Sequence, residues 1–175
     1  MFEGRDLACL RGERLVFGGV DFALSAGEAL LVTGANGSGK SSLLRVMAGL
    51  LRPVTGTLHW RGRPVTEDRE AFAAELRYVG HLDAIKPVLT VAENLAFWAQ
   101  LAGHGPDAVA RGLEALGIGH LAGLPARVLS AGQRRRLGLA RLIAAPTPLW
   151  LLDEPTVALD TASVAAVEAA IAEHR

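Results

Sequence analysis

A glycine-rich segment followed by lysine and serine is the first group of residues whose spacing predicts chemistry. Residues 34–41, GANGSGKS, fit the pattern G-x-x-x-x-G-K-S/T. The glycines let backbone N–H groups approach phosphate oxygens, and the start of the following helix adds partial positive charge. We expect Lys40 to contact the β- and γ-phosphates of a nucleoside triphosphate and the Ser41 hydroxyl to bind Mg²⁺. The predicted phosphate-binding residues are Gly34, Ala35, Asn36, Gly37, Ser38, Gly39, Lys40, Ser41 and Ser42.

Two adjacent carboxylates follow an apolar run later in the chain. The run 149–152, LWLL, predicts a buried strand, and Asp153 and Glu154 come directly after it. Because α/β sheets bind ligands at the C-terminal ends of their strands, we expect Asp153 to hold Mg²⁺. Glu154 would be the general base that polarises an attacking water. A strand that runs into a polar loop looks the same, so this prediction depends on the glycine-rich segment.

Both motifs need secondary structure that positions them. The apolar run 29–33, ALLVT, predicts a strand buried on both faces, and apolar periodicity predicts a helix over 40–50. Other predicted strands lie at 7–10, 14–17, 20–24, 57–60 and 76–79, and other helices at 89–101, 106–116, 131–145 and 162–175. This order predicts one α/β domain, 1–175, with a core at 1–83 and 145–175 and a helical subdomain at 84–144.

Composition and charge argue against several classes of function. The 175 residues contain 18 Lys+Arg and 18 Asp+Glu, and this zero net charge argues against a strongly basic nucleic-acid binder. We therefore interpret Arg134–Arg136 as a solvated basic face. The single cysteine, Cys9, excludes an internal disulfide and is interpreted as a small apolar strand residue. No signal peptide or membrane-spanning run is visible, so we expect a cytosolic chain that reaches a membrane only through partners.

The segment 129–133, LSAGQ, precedes a predicted helix. Together with the motifs above and the segments 89–95 and 157–160, it resembles the nucleotide-binding subunits of ABC transporters, whose signature is LSGGQ. The resemblance covers essentially the whole chain and implies a P-loop NTPase (RecA-like) core, N-terminal antiparallel strands and an inserted helical subdomain. It also implies a head-to-tail dimer that encloses two ATP molecules. Its further nucleotide-binding residues would be Ser130, Gly132, Gln133 and Asp160.

The sequence departs from the family pattern at three positions. Ala131 replaces the first glycine of the signature, and His81 stands where these ATPases have a glutamine. An imidazole can still hydrogen-bond to a lytic or metal-bound water, so His81 is a candidate catalytic residue. The adenine-stacking aromatic of the family falls at Arg11, whose guanidinium plane can stack on a base.

The finer resemblance is to the ATP-binding subunits of bacterial haem exporters that serve cytochrome c biogenesis, which have Gly-His as in Gly80-His81. It implies ATP hydrolysis that drives haem export or release of a haem-loaded chaperone. It also implies integral membrane permease partners and a peripheral location at the cytoplasmic face of the inner membrane, with no nucleic acid bound.

The end of the chain leaves alternatives open. In ABC ATPases a switch histidine follows the strand after the final helix, whereas this sequence stops at Arg175 and His174 comes too early. This leads us to expect a C-terminally truncated chain that binds ATP but turns it over poorly. The alternatives are the ATPase of another small-molecule or polysaccharide exporter, an ABC ATPase acting on nucleic acid or the ribosome, and an ATP-gated dimerisation module.

Overall fold

The computed structural model describes residues 1–175, which fall into two compact units. The first unit comprises residues 1–78 together with Arg175, and the second comprises residues 79–174. The first unit contains β1 (Phe2–Arg11), β2 (Arg14–Leu24), α1 (Lys40–Met47), β3 (Thr55–Trp60), β4 (Arg63–Pro64), α2 (Arg69–Ala74) and most of β5 (Leu76–Val79). The second contains α3 (Val91–Leu101), α4 (Pro106–Ala115), α5 (Ala131–Ala144), β6 (Leu149–Leu152) and α6 (Thr161–His174).

The first unit contains an antiparallel sheet in the order β2-β1-β3-β4. The strand β1 pairs with β2 from Phe2 opposite Leu24 to Arg11 opposite Arg14, with register shifts on the way. The two strands predicted at 14–17 and 20–24 are therefore one continuous strand. Cys9 is fully buried in β1, as predicted. The N-terminal antiparallel strands expected from the resemblance are confirmed.

Aromatic side chains pack on one face of this sheet. Phe2 is fully buried, and its ring lies 5.1 Å from Phe22, 6.0 Å from Trp60 and 5.8 Å from Phe72, between ring centroids. Large aromatic rings supply much apolar area and favour such edge-to-face and offset contacts. This cluster joins α2 to the sheet.

The helix α1 begins at Lys40, as predicted, but ends three residues earlier than expected. Its carboxyl end is closed by Gly49, which has a φ of 69°. The N–H of Gly49 donates to Val46 and that of Leu50 donates to Arg45, both at 2.9 Å. These two bonds form a Schellman motif, which requires a left-handed residue that glycine adopts without strain.

The prediction of a buried strand at residues 29–33 is wrong. No strand pairs with this segment, and it has no regular secondary structure. Leu30 is 45% exposed and Leu31 is 83% exposed. An apolar run is buried on both faces only when neighbouring strands and covering helices flank it, and here these partners are absent.

Helices α3, α4 and α5 enclose the core of the second unit. Val91, Leu95 and Ala99 of α3 are fully buried in this cluster. At Gly112 of α4 a Cβ would lie only 2.9 Å from the Ala140 carbonyl oxygen, so α4 and α5 pack with their backbones close together. The observed bounds of α3, α4, α5 and β6 agree with the predicted ones to within two residues. None of the helices has the length and apolar character needed to cross a membrane.

Candidate functional site

The phosphate loop of residues 34–39 has a backbone that its glycines make possible. Gly34, Gly37 and Gly39 have φ values of 153°, 81° and 102°, which residues other than glycine rarely adopt. The N–H of Ser38 donates to the Ala35 carbonyl at 3.2 Å and tightens the loop. Gly39 leads directly into α1, and it caps that helix without a side-chain hydrogen bond. The loop thus leads directly into the start of a helix, which is the local arrangement that the sequence predicts.

The side chain of Lys40 folds back over this loop. Its ammonium donates to the carbonyls of Gly34 and Ala35, at 2.8 and 3.0 Å. Lysine is a compact charge with three donors, so it can exchange these carbonyls for phosphate oxygens. Ser41 and Ser42 occupy the next two positions of α1 and are half-buried.

Strand β2 supports the phosphate loop, which the sequence interpretation missed. A Cβ on Gly39 would lie 2.7 Å from Val16 Cγ1 and 3.4 Å from Phe17 Cδ1. Gly39 is therefore required by close packing as well as by its φ. Arg11 is the exposed last residue of β1, opposite Arg14. Its role in adenine stacking stays a prediction.

In the second unit, Asp153 and Glu154 follow β6 directly, as the sequence predicts. The N–H of Asp153 donates to the carbonyl of Val79, the last residue of β5, at 2.8 Å. Asp153 is 2% exposed, whereas Glu154 is exposed and has a φ of 48°. The left-handed backbone turns the chain sharply at Glu154 and leaves its carboxylate accessible to water.

The segment after β5 lies next to these carboxylates. Gly80 is buried and His81 is exposed. The Gly80 carbonyl accepts a hydrogen bond from Arg135 at 2.7 Å, and the same guanidinium donates to the Asp153 and Glu154 carbonyls, at 2.6 and 2.8 Å. The two chain segments that carry His81 and Glu154 are thus held by one side chain.

The interpretation of Arg134–Arg136 as a solvated basic face is wrong for Arg135. This residue is only 6% exposed and lies inside the second unit. Its helical position explains the burial, because residues 135, 138, 139 and 142 share one face of α5 and all are buried. Helical periodicity could have placed Arg135 on the inner face of α5. The sequence interpretation placed it in solvent because it is charged.

Ser130 begins α5 with a capping box. Its hydroxyl accepts from the N–H of Gln133 at 3.2 Å, and Gln133 Oε1 accepts from the N–H of Ser130 at 2.8 Å. Such reciprocal bonds satisfy two of the free N–H groups of a helix start. At Gly132 a Cβ would lie 2.8 Å from the Ala158 carbonyl, so the signature packs against the loop after Glu154.

Asp160 caps the last helix. Its Oδ1 accepts from the N–H of Ser163 at 2.8 Å, two residues inside α6. The backbone and side-chain hydrogen bonds of Ser163 lower the pKa of Asp160 below its usual value. The structure therefore gives this carboxylate a capping role, and its predicted contact with nucleotide stays a prediction.

Comparisons with known proteins agree with these motifs. Residues 17–157 match the ABC transporter family. The cytochrome c biogenesis ATP-binding export protein CcmA of Rhodospirillum rubrum is 60% identical over 175 residues, which are 100% of this chain and 75% of that protein. The protein of the same name from Paramagnetospirillum magneticum is 58% identical over 180 residues, covering 99% of this chain and 82% of its own length.

Two solved structures show the same fold. A putative ABC transporter ATP-binding protein from Pyrococcus furiosus has a TM-score of 0.86 at 25% identity, covering 98% of this chain and 84% of its own. The ATP-binding cassette MJ0796, solved as a dimer in a post-hydrolysis state with ADP and Pi, has a TM-score of 0.87 at 22% identity, covering 98% and 81%. From its motifs, its fold and these relatives, the chain belongs to the ABC transporter family.

Proposed function

We propose that this chain is the ATP-binding and ATP-hydrolysing subunit that energises an export step of c-type cytochrome biogenesis. The step would be haem export or the release of a haem-loaded chaperone. The observation that carries the proposal is the 60% identity along the whole chain with the Rhodospirillum rubrum export protein. Supporting it is Gly80-His81, which the sequence resemblance associates with haem-export ATPases.

In this proposal the phosphate loop binds the β- and γ-phosphates of ATP. The N–H groups at the start of α1 would donate to phosphate oxygens, and Lys40 would leave the Gly34 and Ala35 carbonyls to contact the γ-phosphate. Arg11 would stack on the adenine. Both assignments concern the first unit.

The oxygen groups of Ser41 and Asp153 fit Mg²⁺. Hydroxyl and carboxylate oxygens are the hard ligands that this ion prefers, and Asp153 is almost fully buried, where a carboxylate is favoured by a cation. The chain contains no group of three His, Cys, Asp or Glu side chains placed to hold a metal by themselves. Mg²⁺ typically completes its shell with water and substrate phosphates, and it would neutralise phosphate charge when bound.

Glu154 would act as general base in hydrolysis. Its carboxylate is exposed at a sharp turn, so it can accept a proton from a water that attacks the γ-phosphate. His81 would hydrogen-bond to the same water. The Ser130 hydroxyl and the Gly132 N–H would stabilise the γ-phosphate bound to a second subunit, with Gln133 and Asp160 beside them.

The subunit would work as a dimer with integral membrane permeases, at the cytoplasmic face of the inner membrane. We would test this by purifying a tagged Glu154→Gln variant from native membranes in ATP and identifying its partners by mass spectrometry. The variant should keep ATP bound and hold the closed dimer on its partner. Lys40→Ala is the matched control, because it lacks the phosphate-binding ammonium and should lose any ATP-dependent partner.

The expected partners are multi-span proteins of cytochrome c maturation, recovered with Glu154→Gln and not with Lys40→Ala. A different permease would keep the ATP site and overturn the assignment to cytochrome c biogenesis. Recovery of no membrane protein with either variant would overturn the proposed coupling to a membrane partner.

A further inference from the structure

The Arg135 guanidinium is saturated with hydrogen bonds inside the second unit. It is 6% exposed. Its Nε, Nη1 and Nη2 atoms donate to five acceptors: Pro155 O at 3.4 Å, Gly80 O at 2.7 Å, Asp83 Oδ1 at 3.2 Å, Asp153 O at 2.6 Å and Glu154 O at 2.8 Å. Arginine has five N–H donors in a rigid planar fork, so the number of acceptors equals the number of donors.

These acceptors belong to two chain segments that are far apart in sequence. Gly80 and Asp83 flank His81, whereas the other three acceptors lie in 153–155 and include the Glu154 carbonyl. Four of the five acceptors are backbone carbonyls, so the guanidinium fixes the path of the main chain as well as a side chain. A planar fork imposes direction on each bond, and a flexible ammonium does not.

The backbone at Glu154 needs such support. Its φ of 48° is unusual for a residue with a side chain, and such conformations persist where the surrounding structure holds them. The Nη2 atom donates to the carbonyls of Asp153 and Glu154, which lie on either side of the Glu154 Cα. The direction of the Glu154 carboxylate therefore depends on the position of Arg135.

Gly138 of helix α5 leaves space for the Asp83 side chain beside the Arg135 guanidinium. At Gly138 a Cβ would lie 3.1 Å from Asp83 Oδ1 and 3.3 Å from Asp83 Cβ. A side chain at this position would crowd Asp83 and require it to shift by a few tenths of an ångström. Asp83 forms an ion pair with the Arg135 guanidinium at 3.2 Å. It is the one carboxylate among the five acceptors, since the other four are backbone carbonyls.

We propose that Arg135 is a positioning residue for ATP hydrolysis that acts through Glu154. It holds the Glu154 backbone and the His81 segment in a fixed arrangement, so that the general base faces the attacking water. Because Arg135 stands on α5, five residues after Ser130, it also connects the signature helix to the hydrolytic segment of the same subunit. The inference rests on the proposed function, specifically on Glu154 as the base.

The test measures kcat and KM for ATP in the full chain, together with nucleotide affinity. In Arg135→Lys, which keeps the charge and loses the fork, we expect kcat to fall by about 10- to 100-fold, since small displacements of a catalytic group have effects of that size. The KM for ATP should change by less than about threefold, because the phosphate loop lies in the other unit. Arg136→Gln, which removes a charge at the next position of α5, is the control and should retain the wild-type kcat.

A double substitution separates positioning from general stability. If Arg135 acts through Glu154, Arg135→Lys should cause no further loss of kcat in a Glu154→Gln background. Losses that multiply in the double variant would overturn the inference. So would a wild-type kcat in Arg135→Lys.

Gly138→Ala covers the case in which Arg135→Lys does not fold. Its methyl group would push the Asp83 side chain away by a few tenths of an ångström and so disturb the ion pair with Arg135, and kcat should fall with ATP affinity retained. An unchanged kcat in this variant would count against the inference. If Glu154→Gln hydrolyses ATP at the wild-type rate, the proposed function itself fails; if it is inactive while Arg135→Lys is fully active, only the role of Arg135 fails.

Discussion

The capping boxes of α3 and α5 allow the structural role of Ser130 to be separated from its predicted role toward ATP. Thr90 accepts from the N–H of Glu93 at 3.1 Å, and Glu93 accepts from the N–H of Thr90 at 2.7 Å. The corresponding distances at Ser130 and Gln133 are 3.2 and 2.8 Å. Thr90→Ala is therefore a matched control for Ser130→Ala, because both remove one cap of the same geometry from the second unit.

Each substitution should lower the free energy of unfolding by about 1 kcal/mol, the usual cost of an N-cap. For a chain of this size that is a fall in Tm of about 2–4 °C, measurable by circular dichroism without nucleotide. ATP hydrolysis should respond differently. A lost hydrogen bond to a charged phosphate costs about 1.5–3 kcal/mol, so Ser130→Ala should slow hydrolysis by about 10- to 100-fold and Thr90→Ala should not.

Ser130→Asn completes the design, because asparagine caps a helix as well as serine does but lacks the hydroxyl. We expect it to restore the Tm and leave hydrolysis slow. If Thr90→Ala slows hydrolysis as much as Ser130→Ala, the reasoning is refuted and Ser130 acts only as a cap.

Three further predictions concern stability. Leu95→Ala should lower the free energy of unfolding by about 2–5 kcal/mol in urea titrations because Leu95 is fully buried, whereas Leu101→Ala on the same helix, at a 70% exposed position, should change it by less than about 0.5 kcal/mol. Gly56→Ala should reduce the Tm far more than Gly62→Ala, since both have a positive φ but only at Gly56 would a Cβ clash with the Arg5 and Asp6 carbonyls. Hydrogen bonds from Thr90 lower the pKa of Glu93 below 4.5, so its ionised form stabilises the fold above that pH. The stability advantage of wild type over Glu93→Gln should therefore shrink as the pH falls through this lowered pKa, and an advantage independent of pH would contradict the assignment.

Helices and strands that are specified by residues close together in the chain could be predicted from the sequence. The start of α1 at Lys40, the strand β6 and the capped start of α5 all follow from residues within a few positions of one another. The placement of Asp153 and Glu154 after β6 was predicted for the same reason.

The prediction failed where burial depends on distant parts of the chain. The run 29–33 has the composition of a central strand, but a strand forms only where another strand pairs with it. The prediction for Arg135 failed in the opposite direction: its charge favours exposure to solvent, but the residue is buried. Five acceptors from two remote segments satisfy its hydrogen-bond donors inside the fold. Neither set of partners can be read from the local sequence.

The bonds of Lys40 to its own loop also have a thermodynamic consequence. The ammonium already has two oxygen partners, the Gly34 and Ala35 carbonyls, so nucleotide binding exchanges partners instead of adding them. The contribution of Lys40 to affinity is then the difference between phosphate and carbonyl oxygens, which is smaller than the full strength of its phosphate contacts. In calorimetry, part of the enthalpy released on binding would be offset by breaking these internal bonds, because the loop carbonyls compete with phosphate oxygens for the same ammonium.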